Sequence, residues 1–151
     1  MIGKPLRHQD SLKFILGGNS TVTFLNVKSS NRFTFRVKRK KNEDIFFVSV
    51  LTSPDIYTFI GSVINDTFRY SRKSKISIDT QSVKVFNYVL TNLQKGTLPE
   101  FIEIWHEGRC GRCNRQLTVP ESIEIGFGPE CIKLIFNKEE LRDSKLSNLL
   151  K

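Results

Sequence analysis

Two short stretches limit what this chain can fold into more than anything else in its 151 residues: WHEGRCGRC at 105 to 113 and GFGPEC at 126 to 131. Together they hold the only tryptophan, one of the two histidines and all three cysteines. Cys110-Gly111-Arg112-Cys113 is a CxxC pair. Its glycine permits the tight backbone curl that turns two thiolates toward one ion, at sulfur-to-zinc distances of about 2.3 Å. Asn114 follows, and asparagine tolerates the left-handed backbone such a knuckle needs. In the second stretch Gly126 and Gly128 allow a sharp turn and Pro129 suits a first helical position, so Cys131 is expected in the first turn of a helix running through Leu134 to Phe136. A helix start also favours a thiolate.

A knuckle supplying two ligands and a helix start supplying a third is the layout of a zinc-knuckle or treble-clef-like subdomain, here expected over residues 106 to 136. His106 is the expected fourth ligand, giving a His/Cys3 tetrahedron closed to solvent and therefore structural. His8, a carboxylate such as Glu130, or water are the substitutes. A redox CxxC is the rival for the pair, but no strand-then-helix context of thioredoxin type flanks it and the third cysteine would be left over.

Composition narrows the setting. A chain of this length with 38% hydrophobic residues can bury one core, with at most a small appended subdomain. No window approaches a membrane span and the N-terminus MIGKPLRHQD lacks a signal-like apolar run, so a cytoplasmic protein is expected. Three cysteines cannot all pair within one chain, which fits a reducing compartment where clustered thiols hold metal. Charge is uneven: residues 1 to 100 carry 16 Lys/Arg against 7 Asp/Glu, whereas residues 101 to 151 carry 8 against 8. The whole excess of +9 therefore precedes the cysteine cluster. Such a field attracts phosphate backbones or acidic protein surfaces and says nothing about fold.

Periodicity predicts an α+β fold. Residues 1 to 10 read as a flexible tail, and SLKFIL (11 to 16) before Gly17-Gly18 as a short helix, with a strand as the alternative. TVTFLNV (21 to 27) and RFTFRVK (32 to 38) form a hairpin whose second arm alternates strictly, Phe33, Phe35 and Val37 on one face, Arg32, Thr34, Arg36 and Lys38 on the other. IFFVSVL (45 to 51) is denser in apolar residues and is expected to be covered on both faces. YTFIGSVI (57 to 64) and a short strand near 68 to 70 or 75 to 78 complete an antiparallel meander. Asp79 or Thr80 then caps a helix whose Val83, Phe86, Leu90 and Leu93 share one side, widened by Val85, Tyr88 and Val89, up to Gly96. FIEIW (101 to 105) is a last strand that delivers His106, closing a sheet-and-helix domain over 11 to 105. Residues 137 to 151 open on a capping-box pattern, Asn137 with Glu140, and form a short helix or a tail.

The run WHEGRCGRC followed by LTVPESIEIGFGPEC resembles the C-terminal cysteine motif of a family of uncharacterised phage and prophage proteins of unknown function. Upstream, RFTFRV, FFVSVLTSPD and YTFIGSV are similar to the N-terminal part of its longer members, so the resemblance spans roughly residues 11 to 136. It implies a phage gene product in a bacterial cytoplasm and supplies no activity.

Catalysis has little to stand on: there is no nucleophile elbow, P-loop, dinucleotide fingerprint or HExxH, and the enzymatic alternative is an open zinc with Glu107 or Glu130 as general base. A zinc deaminase would need HxE and PCxxC, where this chain has His106-Glu107 and Pro129-Glu130-Cys131. A non-enzymatic binding protein is expected. Nucleic acid, DNA or RNA, is the first partner, met by Arg32, Arg36, Lys38, Arg39, Lys40, Lys41, Arg69, Arg72, Lys73 and Lys75, with stacking on Tyr57 or Tyr70. The alternative is a host protein, with the chain acting as an inhibitor or modulator of a defence nuclease, CRISPR effector or RNA polymerase.

Overall fold

The computed structural model describes residues 3–142. It shows a first helix α1 (His8–Ile15), five consecutive strands β1 (Asn19–Asn26), β2 (Arg32–Arg39), β3 (Ile45–Ser53), β4 (Ile56–Ile64) and β5 (Thr67–Tyr70), then α2 (Gln81–Lys95) and β6 (Ile102–His106). Two short helices follow, α3 (Pro120–Ile125) and α4 (Pro129–Ile135), before a 3-10 turn at Glu140–Arg142. All six strands form one curled antiparallel sheet in the order β5-β4-β3-β2-β1-β6. The meander is thus closed at its first strand by β6, which arrives after the helix α2.

Alternation decides what each face does. On one face Val22, Phe24, Phe35, Val37, Val48, Val50 and Ile104 are buried. Phe86 of α2 lies among them, its ring 5.9, 5.0 and 5.1 Å from those of Phe24, Phe35 and Phe68. Both α1 and α2 pack on this side and touch each other. α2 ends as its sequence requires, at Gly96 in the left-handed conformation (φ 69°). Tyr88, expected in the apolar stripe, is 48% exposed instead. The stripe is narrower because Ser82, Val83, Phe86, Val89 and Leu90 already fill the contact.

The opposite face carries no described helix. β3 is therefore not covered on both sides as its composition suggested: Phe47 and Leu51 are exposed there, Phe47 resting edge-on against Phe59. Nor is the start of the chain a loose tail. The Leu6 amide bonds Ile104 O at 2.7 Å, outside β6, and Arg7 pairs with Asp10 at 2.6 Å inside a helix that begins at His8 rather than Ser11. At the other end, Asn137 and Glu140 make the reciprocal capping-box bonds (3.0 and 2.8 Å). A helix beyond residue 142 lies outside the described residues.

Truncating Phe86 to Ala should destabilise the protein by about 3–5 kcal/mol in urea unfolding, against about 0.5 kcal/mol for Tyr88→Ala on the same helix. Equal losses at the two positions would mean that α2 packs through a different face.

Candidate metal centre

The CxxC segment folds as a miniature hairpin. Arg109 bridges Gln116, the Cys110 amide bonds Arg115 O (2.9 Å) and the Leu117 amide bonds Gly108 O (2.8 Å). Its turn closes through Asn114, which adopts φ 62° and donates its amide to Cys110 O (2.9 Å). α4 begins at Pro129, so Cys131 sits in its first turn as the sequence predicts. The Sγ atoms of Cys110, Cys113 and Cys131 all lie within 4.8 Å of one another. Three thiolates on one zinc ion stand about 3.8 Å apart when each bond is about 2.3 Å, so a small contraction brings these sulfurs to coordinating distance. The residues present fit a soft or borderline divalent ion, and the three cysteines form a group able to hold one.

Electrostatics act on the sulfurs in opposite directions. Burial pushes the Cys110 thiol up, but amide donors from Cys113, Gly128 and Arg112 outweigh it and hold the group below its ordinary value. The Arg112 amide lies 3.5 Å from that sulfur. Burial raises the Cys131 thiol to about 11, against the pull of the Arg112 guanidinium 3.7 Å away. Crowding three sulfurs makes successive ionisations costly unless a cation compensates them.

His106 does not join this group. Its ring is 1% exposed and lies on the helix-facing side of β6, 5.3 Å from the Phe14 ring. Nδ1 accepts the Gly108 amide at 2.9 Å, and Nε2 donates to the Ile123 carbonyl within α3. Both ring nitrogens are thus spent on backbone, and the expected His/Cys3 tetrahedron is corrected to three sulfurs among the described residues. The proximity in sequence misled because the last strand turns His106 inward, whereas the knuckle curls away from it. His8 is also engaged, its Nε2 2.6 Å from Ile102 O.

What sequence reasoning missed is α3 and the aromatic seat of the knuckle. Phe14, fully buried, packs between Gly111 and Gly126, where an added Cβ would come within 2.7 and 2.6 Å of its ring. It also meets Phe127 at 5.8 Å. The glycine spacing read as turn chemistry was the signal for this close approach.

The basic residues divide. Arg32, Arg36 and Lys38 point from β2 to the uncovered face, as does Arg69 from β5, while Arg72, Lys73 and Lys75 are exposed in the loop behind it. Arg39 and Lys40 are tied to Asp44 (2.8 Å) and Glu43 (2.7 Å) beside Lys41 in the β2–β3 loop. Of the two tyrosines expected to stack, Tyr57 lies on the uncovered face beneath the Arg36 guanidinium, which is 4.0 Å from its ring centre. Tyr70 turns to the helix side and donates to Ile76 O at 2.5 Å, which removes it from stacking.

Residues 105–135 match the model of a family of unknown function (DUF6011). The matched stretch contains all three cysteines and α3, so in this segment the chain is similar to an uncharacterised family. No curated protein and no solved structure matches it. No described helix is long and apolar enough to cross a membrane.

Two measurements probe the centre. Elemental analysis of the purified chain should return one divalent ion per molecule, dropping below about a tenth of that in Cys131→Ala, since loss of one of three thiolates removes a third of the donors. Burial lowers the pKa of His106, with the Ile123 carbonyl opposing, so the folded state binds fewer protons than the unfolded one below about pH 6.5. Its contribution is complete above that pH and is lost on acidification, at up to about 1.4 kcal/mol per pH unit. The stability difference between wild type and His106→Gln should therefore shrink from pH 7.5 to 5.5 in paired urea titrations, taken at about these values.

Proposed function

We propose that this chain is a non-enzymatic, zinc-braced module that binds nucleic acid across the uncovered face of its sheet. One observation carries the reading: on that face cations alternate with aromatic rings. The β-pairings align Lys38 beside Phe47 and Arg36 beside Ser49, which in turn faces Phe59, while Arg69 stands across from Ser62 on the far edge. Arg36 lies over Tyr57, and Trp105 rides on β6 with its indole N–H bonded to Glu103 at 3.2 Å. Guanidinium and ammonium groups meet phosphates, and rings between them offer platforms for unstacked bases. The zinc ion would hold the knuckle against the back of the sheet and take no part in chemistry. A phage gene product inside a bacterial host is the setting we propose for this chain, on the resemblance of its cysteine motif alone.

The alternative partner, a host protein, draws on the apolar corner where Leu51 and Ile56 are 37% and 57% exposed beside the β3–β4 turn. A pull-down separates the two: partners that vanish with nuclease favour nucleic acid, and a stoichiometric protein that survives it favours docking.

With four phosphate contacts from Arg32, Arg36, Lys38 and Arg69, affinity for a single-stranded oligonucleotide should fall roughly 50-fold between about 50 and 200 mM salt. The double change Arg36→Ala, Lys38→Ala should flatten the log–log slope by about 1.4, and Phe47→Ala should weaken binding by about 1–3 kcal/mol with the slope unchanged. Fluorescence anisotropy measures all three; no binding to DNA or RNA at the lower salt refutes the proposal.

A further inference from the structure

We propose that the fourth coordination position of the cysteine centre faces a cavity and takes a small anionic donor from outside the chain. The inference rests on the metal-binding part of the reading above and is independent of nucleic acid. Three observations carry it. No other His, Cys, Asp or Glu donor joins the three sulfurs among the described residues, and His106, the natural candidate, has both nitrogens bonded to backbone. Next to the sulfurs lies a cavity of about 210 Å³, bordered by Cys110, Cys113 and Cys131 themselves. Its wall contains Ser122, whose hydroxyl is buried and has no hydrogen-bond partner.

Four-coordinate divalent zinc with three thiolates needs one more electron-pair donor, and a site that keeps this position open is one that exchanges ligands. The cavity has the size for such a donor. It holds several times the volume of one water molecule, about 30 Å³ in the liquid. Its lining sets the ligand class. Leu117, Val119 and Pro129 keep the walls apolar, Arg115 stands at the rim, and Arg112 leans on Cys131 Sγ, against the single carboxylate of Glu130. Two guanidiniums to one carboxylate favour a negative charge on the incoming group. The Ser122 hydroxyl supplies the hydrogen bond that a second atom of that group accepts, which removes the cost of leaving a buried donor unmet. A buried orphan hydroxyl is otherwise hard to account for on a helix as short as α3.

Cobalt(II) tests this because its visible d–d bands report the fourth donor and its charge-transfer bands count the thiolates. The full chain is loaded with cobalt(II) and titrated with azide. We expect three-thiolate charge transfer, and d–d bands that shift saturably with one azide per metal. Ser122→Val should load equally and bind azide about fivefold more weakly, the effect of one lost hydrogen bond. Cobalt uptake with d–d bands indifferent to azide overturns this inference and leaves the metal centre standing. An azide affinity unchanged in Ser122→Val overturns it as well. Absence of cobalt uptake overturns both this inference and the metal reading beneath it.

Discussion

The contact between Phe14 and two glycines is what the rest of this structure leans on. The ring is fully buried, and Gly111 and Gly126 come so close that neither could carry a side chain. Gly111 belongs to the CxxC turn and Gly126 ends α3 in the left-handed conformation (φ 91°). One aromatic side chain on α1 thus fixes the distance between the two halves of the cysteine centre. The hydrogen bond from Gly111 N to Gly126 O, 2.9 Å, locks the same pair from the other side. Interiors at native density transmit such constraints because there is no slack for a displaced methyl group.

The second joint is His106. Buried and bonded through both nitrogens, it ties the end of β6 to the loop at Gly108 and to α3. A neutral imidazole is suited to this because it donates at one nitrogen and accepts at the other. The two joints divide the labour of the molecule. One side of the sheet is committed to helices and the cysteine centre, and the other is left to solvent with its cations and rings. β1 separates them: its residues are mostly buried on both faces, Thr21 and Thr23 included, with Thr23 bonded across to Thr34 at 2.7 Å.

Much of this was legible in the residues, and the failures are instructive. Strict alternation in RFTFRVK gave β2 the correct inner and outer faces, and the Pro129-Glu130-Cys131 order gave the helix start that carries the third thiol. Both are local rules, period 2 and proline at a first turn. Density of apolar residues was a poorer guide. IFFVSVL looked doubly covered, yet whether a second layer sits on a strand is a tertiary fact that no window contains. His106 failed for a related reason: spacing in sequence shows which residues are near, but the direction of a strand-end side chain follows from pairing with Val22 and from what α1 places opposite. Phe14 was hidden because its partners are about a hundred residues away, and only the run of glycines hinted that something bulky must approach the backbone.

That separation has a consequence for how the chain comes off the ribosome. Leu6 pairs with Ile104, and Phe14 is seated by Gly111 and Gly126. α1 meets β1 and α2 as these are synthesised, but the seat of Phe14 between Gly111 and Gly126 forms only when nearly the last of the described fold is made. The hairpins of the meander are able to assemble meanwhile from neighbours in sequence, whereas the Phe14 side of α1 has to wait for its berth. The fold is closed on Phe14 of α1, so nascent chains stalled before residue 126 would leave that side of the sheet unfinished for whatever chaperone is at hand.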